Sequence, residues 1–239
     1  MIVLARYLSG SHAYGLNDEN SDVDERGVVI QDDPSYIVGL KKFEHKTIQN
    51  SKEDSSYREL RSYLVLLSKS NTESIEALYH DDFIEIHPVF ERLRGCRYKL
   101  MDSEMLFKCL KGYMHGERAQ IFGKATDKLG AKRKLALEKY GYSYRNLVHY
   151  IRLAFAGITF FNHSIYPVRM NSWPIYPLLK EIKSKPQQFS INRINKMIDD
   201  YMGLLEISYK TRSLTHRFDY DFANDFCCSV YKDVLNGKI

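Results

Sequence analysis

The stretch that decides the fold is Gly10-Ser11-His12-Ala13-Tyr14-Gly15, followed after a short gap by Ser21-Asp22-Val23-Asp24-Glu25-Arg26-Gly27. Ahead of it, Ile2-Val3-Leu4-Ala5-Arg6-Tyr7-Leu8 is an apolar run of strand length that ends at Ser9-Gly10-Ser11. Beyond it, Val28-Val29-Ile30 ends a second strand. On a strand, a spacing of two puts the Asp22 and Asp24 carboxylates on one face and sends Val23 to the other. Carboxylates held side by side repel unless a cation lies between them. Hard oxygen ligands of this kind suit Mg²⁺ or Mn²⁺, and Mg²⁺ also takes oxygens from substrate phosphates.

The upstream turn adds the second half of the pattern. Gly10 permits a sharp bend where a side chain would block close approach, and Ser11 brings a hydroxyl. Successive free N–H groups at a strand-to-helix turn form an anion-binding concavity. Taken singly, Gly-Ser is a common turn and Asp-x-Asp a common solvated edge, or the opening of a calcium loop whose other ligands are missing here. In this order, behind an apolar strand, they form a phosphate cradle ahead of a metal-binding pair. That is an arrangement for handling a nucleoside triphosphate.

The rest of the 239 residues frames this segment. A hydrophobic content of 44% with 27% charged and 13% aromatic residues describes a folded globular chain rather than a disordered one. No stretch approaches the ~20 apolar residues of a membrane span, so no membrane partner is expected and the cytoplasm is the expected location. The net charge of +5 and a pI near 8.8 permit a polyanionic partner without demanding one. Cys96, Cys109, Cys227 and Cys228 lack metal-ligand spacing and read as reduced, structural thiols. Nothing in the composition bears on the oligomeric state.

Texture divides the chain. Up to about residue 50, short β-type runs alternate with turns, and Tyr36-Ile37-Val38-Gly39-Leu40 reads as a third strand after the Asp33-Pro34-Ser35 turn. From Asp54 the period changes: Leu60, Leu64 and Leu67 mark a helix through 57–69, with Asp54-Ser55-Ser56 as capping residues. Further helical runs are expected near 103–112, 128–140, 143–162, 190–210 and 221–235. The expected architecture is α+β, with a small mixed β-sheet head over 1–95 and a mostly helical body over 96–239 that completes the cleft.

The head segment resembles the Gly-Ser…Asp-x-Asp signature of the DNA-polymerase-β-like nucleotidyltransferase superfamily. With Gly15, Ser21 and Arg26-Gly27 it is similar to one branch, the nucleotidyltransferases associated with RNA ligases in bacteria and phages. The resemblance implies that Asp22 and Asp24 bind catalytic metal, that Gly10, Ser11, Gly15 and Ser21 belong to the nucleotide site, and that a third carboxylate follows on a later strand. The branch places that Asp five residues before a Glu-Leu-Arg that opens a helix. Asp54 stands five before Glu59-Leu60-Arg61 and is the choice, with Glu53 as the alternative one register step away. The competing reading of Asp54 is a helix N-cap only. His12 sits where members of the family often carry Arg. If the chain is phage-encoded, the expected location becomes the host cytoplasm.

A second match lies in the body: Tyr140-Gly141-Tyr142 followed by Arg145, His149 and Arg152, where the branch reads Lys…His…Arg. Pro167-Val168-Arg169 resembles it more weakly. Independently of the family, offsets of 0, 4 and 7 put Arg145, His149 and Arg152 on one helical face. The surrounding residues are apolar nearly all round, so the stripe should meet anions inside the protein or on a bound substrate. A structural ion-pair hub is the competing reading. Lys128, Lys132, Arg133, Lys134 and Lys139 form a basic run suited to a nucleic-acid backbone or simply to a solvated face.

Together these readings point to an Mg²⁺-dependent transfer of a nucleoside monophosphate from a nucleoside triphosphate to an acceptor hydroxyl, releasing pyrophosphate. The resemblance implies an RNA acceptor, such as a tRNA end under repair. The alternatives are a non-catalytic RNA- or nucleotide-binding module of an RNA repair assembly, and a protein-modifying nucleotidyltransferase.

Overall fold

The computed structural model describes residues 1–19, 21–43, 45–49, 53–124 and 130–239. The chain opens with β1 (Ile2–Leu8), a single helical turn α1 (Gly10–Ala13) and β2 (Val23–Ile30). Next come the short α2 (Pro34–Ile37), then β3 (His45–Gln49) and β4 (Glu53–Glu59). Helices α3 (Leu60–Ser68) and α4 (Thr72–Tyr79), strand β5 (Phe83–Ile86) and helix α5 (Pro88–Gly95) complete the first run. The rest is helical: α6 (Ser103–Ile121), α7 (Ala131–Tyr140), α8 (Tyr144–His163), α9 (Tyr176–Ser184), α10 (Ile191–Thr211) and α11 (Tyr220–Leu235).

The strands form one mixed sheet in the order β3-β4-β2-β1-β5. β1 pairs antiparallel with β2 and with β5, whereas β2 and β4 run parallel and β3 returns antiparallel on β4. The fold is α+β. Leu4, Ala5, Val29 and Ile30 of the two central strands have no exposed surface, and neither do Leu60 and Leu67 of α3 or Leu93 of α5. Burying one such leucine contributes about 1.5–3 kcal/mol. The stripe predicted through 57–69 is thus the core-facing side of α3.

Three local expectations change. Tyr36 and Ile37 end α2 instead of starting a strand, because Asp33 accepts from Ser35 N at 2.8 Å and Pro34 sits at the first helical position. Residues 54–56, expected as caps, lie inside β4. The helix that follows is capped by Glu59, whose Oε2 accepts from Arg61 N (2.9 Å) and Ser62 N (3.2 Å). The helix expected over 103–112 runs on to Ile121. Residues 50–52 and Lys128 lie outside the described residues.

The chain forms two compact units, residues 1–102 with 216–239, and residues 103–215. Helix α11 therefore belongs with the sheet, not with the helical body expected over 96–239. It is tied there by Asp219 N donating to Lys99 O (2.8 Å), by Arg61 over the Tyr231 ring (5.2 Å) and by Arg92 over Phe226 (5.9 Å). In the second unit, α8 is buried over most of its surface, as its nearly all-round apolar sequence implies, and packs with α6 and α10. Among the described residues, no helix is long and apolar enough to cross a membrane.

Candidate active site

Asp22 immediately precedes β2 and Asp24 is its second residue. On the neighbouring parallel strand the residue opposite Asp24 is Asp54, while Glu53 pairs with Val23 one step earlier. Opposed residues of adjacent strands project on the same face, so Asp24 and Asp54 come together across the sheet. Asp24 carries the electrostatic record of this. Burial pushes its carboxyl pKa above the usual 3.8, Arg26 pulls it down, and Asp54 and then Asp22 push it up again, with His12 opposing them. Two carboxylates, one guanidinium and one imidazole therefore act on the Asp24 carboxyl at the start of β2.

The turn after β1 is stitched to the same point. Ser9 donates to Asp24 O through its N–H (2.8 Å) and its hydroxyl (3.3 Å). Gly10 has φ +60°, and a Cβ placed on it would stand 3.1 Å from Asp24 Oδ2. An L side chain is disfavoured there by conformation, and the carboxylate leaves it little room. Gly15 also adopts positive φ (67°) and donates to His12 O at 3.2 Å, closing the turn, while Ser11 O accepts from Leu16 N at 2.9 Å. Ser21 accepts from Asp18 N (2.9 Å) and donates to Asp18 Oδ1 (3.2 Å), so its hydroxyl shapes the approach to Asp22. His12 Nε2 is buried, with no hydrogen-bond partner among the described residues.

Among the described residues, no three His, Cys, Asp or Glu side chains converge on one metal-sized point. Asp22, Asp24 and Asp54 nonetheless offer hard carboxylate oxygens in a mutually repelling group, the donor chemistry that Mg²⁺ or Mn²⁺ requires. The orphaned His12 Nε2 beside them fits an anionic ligand.

Ser56 and Arg58, further along β4 from Asp54, were missed in the sequence, where Arg26 was read only as part of the family signature. Arg26, Ser56 and Arg58 line a small cavity with Tyr7 and Glu73 on the face that carries Asp24. Arg26 Nε binds Glu73 Oε1 at 2.7 Å. Period-two counting onward from Asp24 and Asp54 reaches Arg26, Ser56 and Arg58, but only once 53–59 is recognised as a strand.

In the second unit the basic stripe separates by depth. Arg152 is 1% exposed, and its Nη2 lies 3.3 Å from His149 Nδ1. His149 Nε2 is 4.0 Å from Glu117 Oε1. Desolvation, Arg152 and Arg133 push the His149 pKa down to about 3, so the ring is neutral at physiological pH even though its side chain keeps 36% exposure. A neutral ring that receives a guanidinium proton at Nδ1 carries its own proton on Nε2, directed towards Glu117. Burial pushes the Glu117 carboxyl up, against Asn146, Arg133 and Arg152. Asn146 Nδ2 donates to Glu117 Oε2 (2.7 Å) and to Gln120 Oε1 (2.9 Å). Arg145, near the start of α8, is less buried and stacks against Tyr144 with 5.7 Å between Cζ and the ring centroid.

No curated protein matches the chain. A family profile described as the RNA repair pathway DNA polymerase beta family matches residues 1–219, taking in the sheet, the carboxylate cluster and the helical unit. The chain belongs to that RNA repair pathway DNA polymerase beta family, a polymerase-β-like group of nucleotidyltransferases.

Proposed function

We propose that this protein transfers a nucleoside monophosphate from a nucleoside triphosphate to a hydroxyl of an RNA, with loss of pyrophosphate and dependence on Mg²⁺ or Mn²⁺. The observation that carries the reading is the placement of Asp24 opposite Asp54, with Asp22 in the same field and the Gly10 backbone against the Asp24 carboxylate.

Asp22 and Asp24 would hold one divalent ion, and Asp54 would join them in holding a second. When bound, such an ion pair polarises the phosphoryl oxygens and lowers the pKa of an attacking hydroxyl. The protein supplies the remaining elements. The turn through Gly10, Ser11 and Gly15 cradles the leaving phosphates, Ser21 fixes the entry to the acid pair, and His12 offers its unpaired ring nitrogen to a phosphate oxygen. Within the helical unit, Arg145 is assigned to a phosphate of the RNA, and the buried Arg152 guanidinium fixes the tautomer of His149.

Incubating the protein with each labelled nucleoside triphosphate, Mg²⁺ and total RNA tests the reading. Label incorporated into RNA by the wild type and not by Asp24→Asn is the expected result. Label entering protein instead would support modification of proteins, and absence of transfer would leave a binding module.

A further inference from the structure

We propose that the helical unit carries a binding surface for single-stranded RNA, built from Lys139, Tyr140, Tyr144, Arg145, Lys185 and Arg193. This rests on the reading of RNA as acceptor and names where that strand is held.

The net charge of the chain hides a strong segregation. Residues 103–215 contain 19 Lys and Arg against 8 Asp and Glu, whereas the other unit contains 16 against 22. Four of these cations are paired within the unit, Lys111 with Glu206 (2.7 Å), Arg118 with Asp199 (2.8 Å), Lys108 with Glu104 (2.7 Å) and Lys196 with Asp200 (2.6 Å), which leaves the surplus in place. Lys139, Arg145, Lys185 and Arg193 have no carboxylate partner among the described residues. Uncompensated cations gathered on one surface are the electrostatic footprint of a polyanion.

The same place carries aromatic rings. Tyr140 and Tyr144 meet edge-to-face with centroids 6.1 Å apart. Lys139 Nζ lies 5.2 Å from the Tyr140 centroid, and Arg145 Cζ lies 5.7 Å from that of Tyr144. Both rings are partly exposed. The turn that presents them is built rather than incidental. Gly141 ends α7 at φ +76°, a left-handed cap that turns the chain sharply into α8. Tyr142, fully buried, donates its hydroxyl to Pro186 O at 2.8 Å. That bond pins the turn to the connection between α9 and α10, where exposed Lys185 and Arg193 emerge. Arg193 lies 4.3 Å over the Phe189 ring.

Cations interleaved with half-buried rings suit a single strand, whose unstacked bases can lie on tyrosine while its phosphates meet Lys and Arg. A duplex offers the phosphates but not the base faces.

The test is fluorescence anisotropy of the full-length protein with a labelled single-stranded RNA of about 15 nucleotides, without metal or triphosphate. Tyr144→Ala should weaken binding about five- to a hundredfold. Lys139→Gln with Arg193→Gln, both at exposed positions, should keep the melting temperature. This double variant should also flatten the salt dependence by about 0.7 log units per log unit of salt for each cation removed. Unchanged affinity in both variants, or tighter binding of duplex than of single strand, would overturn the surface. RNA affinity absent from a wild type that still shows Asp24-dependent transfer would overturn it too, while leaving the nucleotidyltransferase reading in place. Patch-dependent RNA binding by a protein that transfers to no acceptor would uphold the surface and defeat the catalytic reading.

Discussion

Asp24 and Asp54 occupy the same register of two parallel strands, and each carboxylate lies in the other's field. The first prediction follows from that repulsion. A carboxyl whose folded pKa is raised favours the protonated form, so its contribution to stability is complete below the unfolded value and is lost as pH rises through the folded one. At neutral pH, Asp24→Asn should therefore leave the melting temperature unchanged or higher while abolishing transfer. Mg²⁺ should raise the melting temperature of the wild type more than that of Asp24→Asn. A fully active Asp24→Asn protein would defeat the assignment.

The third carboxylate is tested separately. Asp54→Ala should lose transfer but still bind Mg²⁺-triphosphate through Asp22 and Asp24, as read by equilibrium dialysis. Glu53→Ala, at the register position of Val23, should stay close to wild type in the same assay. A reversal of the two results would move the third ligand by one residue.

Gly10 offers a steric test of the turn. Alanine there must accept φ +60° and a contact of 3.1 Å with Asp24 Oδ2. The conformational term alone costs about 1–2 kcal/mol. Gly10→Ala should lower the melting temperature and suppress transfer together. Gly116→Ala, at a helical position where an added Cβ meets nothing within 4 Å, should instead stabilise by about 0.5–1 kcal/mol. Thermal melts of the two variants, with the transfer assay, check the pair.

The legibility of these features in the sequence was uneven for physical reasons. β1 and the end of β2 are apolar runs paired on both sides, so composition alone marks them. β4 reads Glu-Asp-Ser-Ser-Tyr-Arg-Glu and has no apolar stripe. Its partners are the parallel β2 and the edge strand β3, and its side chains serve hydrogen bonds, such as Tyr57 to Glu25. Strand character set by pairing rather than burial leaves no hydrophobic period, which is why the Asp54 region resembled a cap. The carboxylate spacing in β2 was legible because its chemistry needs those residue types. The depth of Arg152 was not, since helical periodicity gives a direction around the axis but not what is packed against it.

Helix α11 yields a prediction about the sheet unit. Its contacts to α3 and to Lys99 lie within that unit, and Ala223 and Val230 are buried in it. Ending the chain after Thr215 should expose the α3 surface and lower the melting temperature. Urea denaturation should show a smaller unfolding slope, because less surface is buried at the start. An unchanged melt would mean that the sheet and α3–α5 are self-sufficient.

His149 gives the pH prediction. Its folded pKa of about 3 lies below the 6.5 expected for a free histidine, because burial, Arg152 and Arg133 oppose a second proton on the ring. Between those values the unfolded chain binds a proton that the folded protein excludes. Stability from this site is therefore complete above the unfolded pKa and is lost progressively as pH falls from about 6.5 towards 3. His149→Gln removes the titration while leaving a side chain able to accept from Arg152, so its melting temperature should fall less steeply across the acid range. Glu117 works in the opposite sense. Its raised pKa makes it easier to protonate in the folded state, which offsets part of the histidine effect, and Glu117→Gln should therefore steepen the acid loss. Melting curves of wild type and the two variants from pH 7 to about pH 4 test the signs together. A His149→Gln profile parallel to wild type would show that the ring is not held neutral between Arg152 and Glu117.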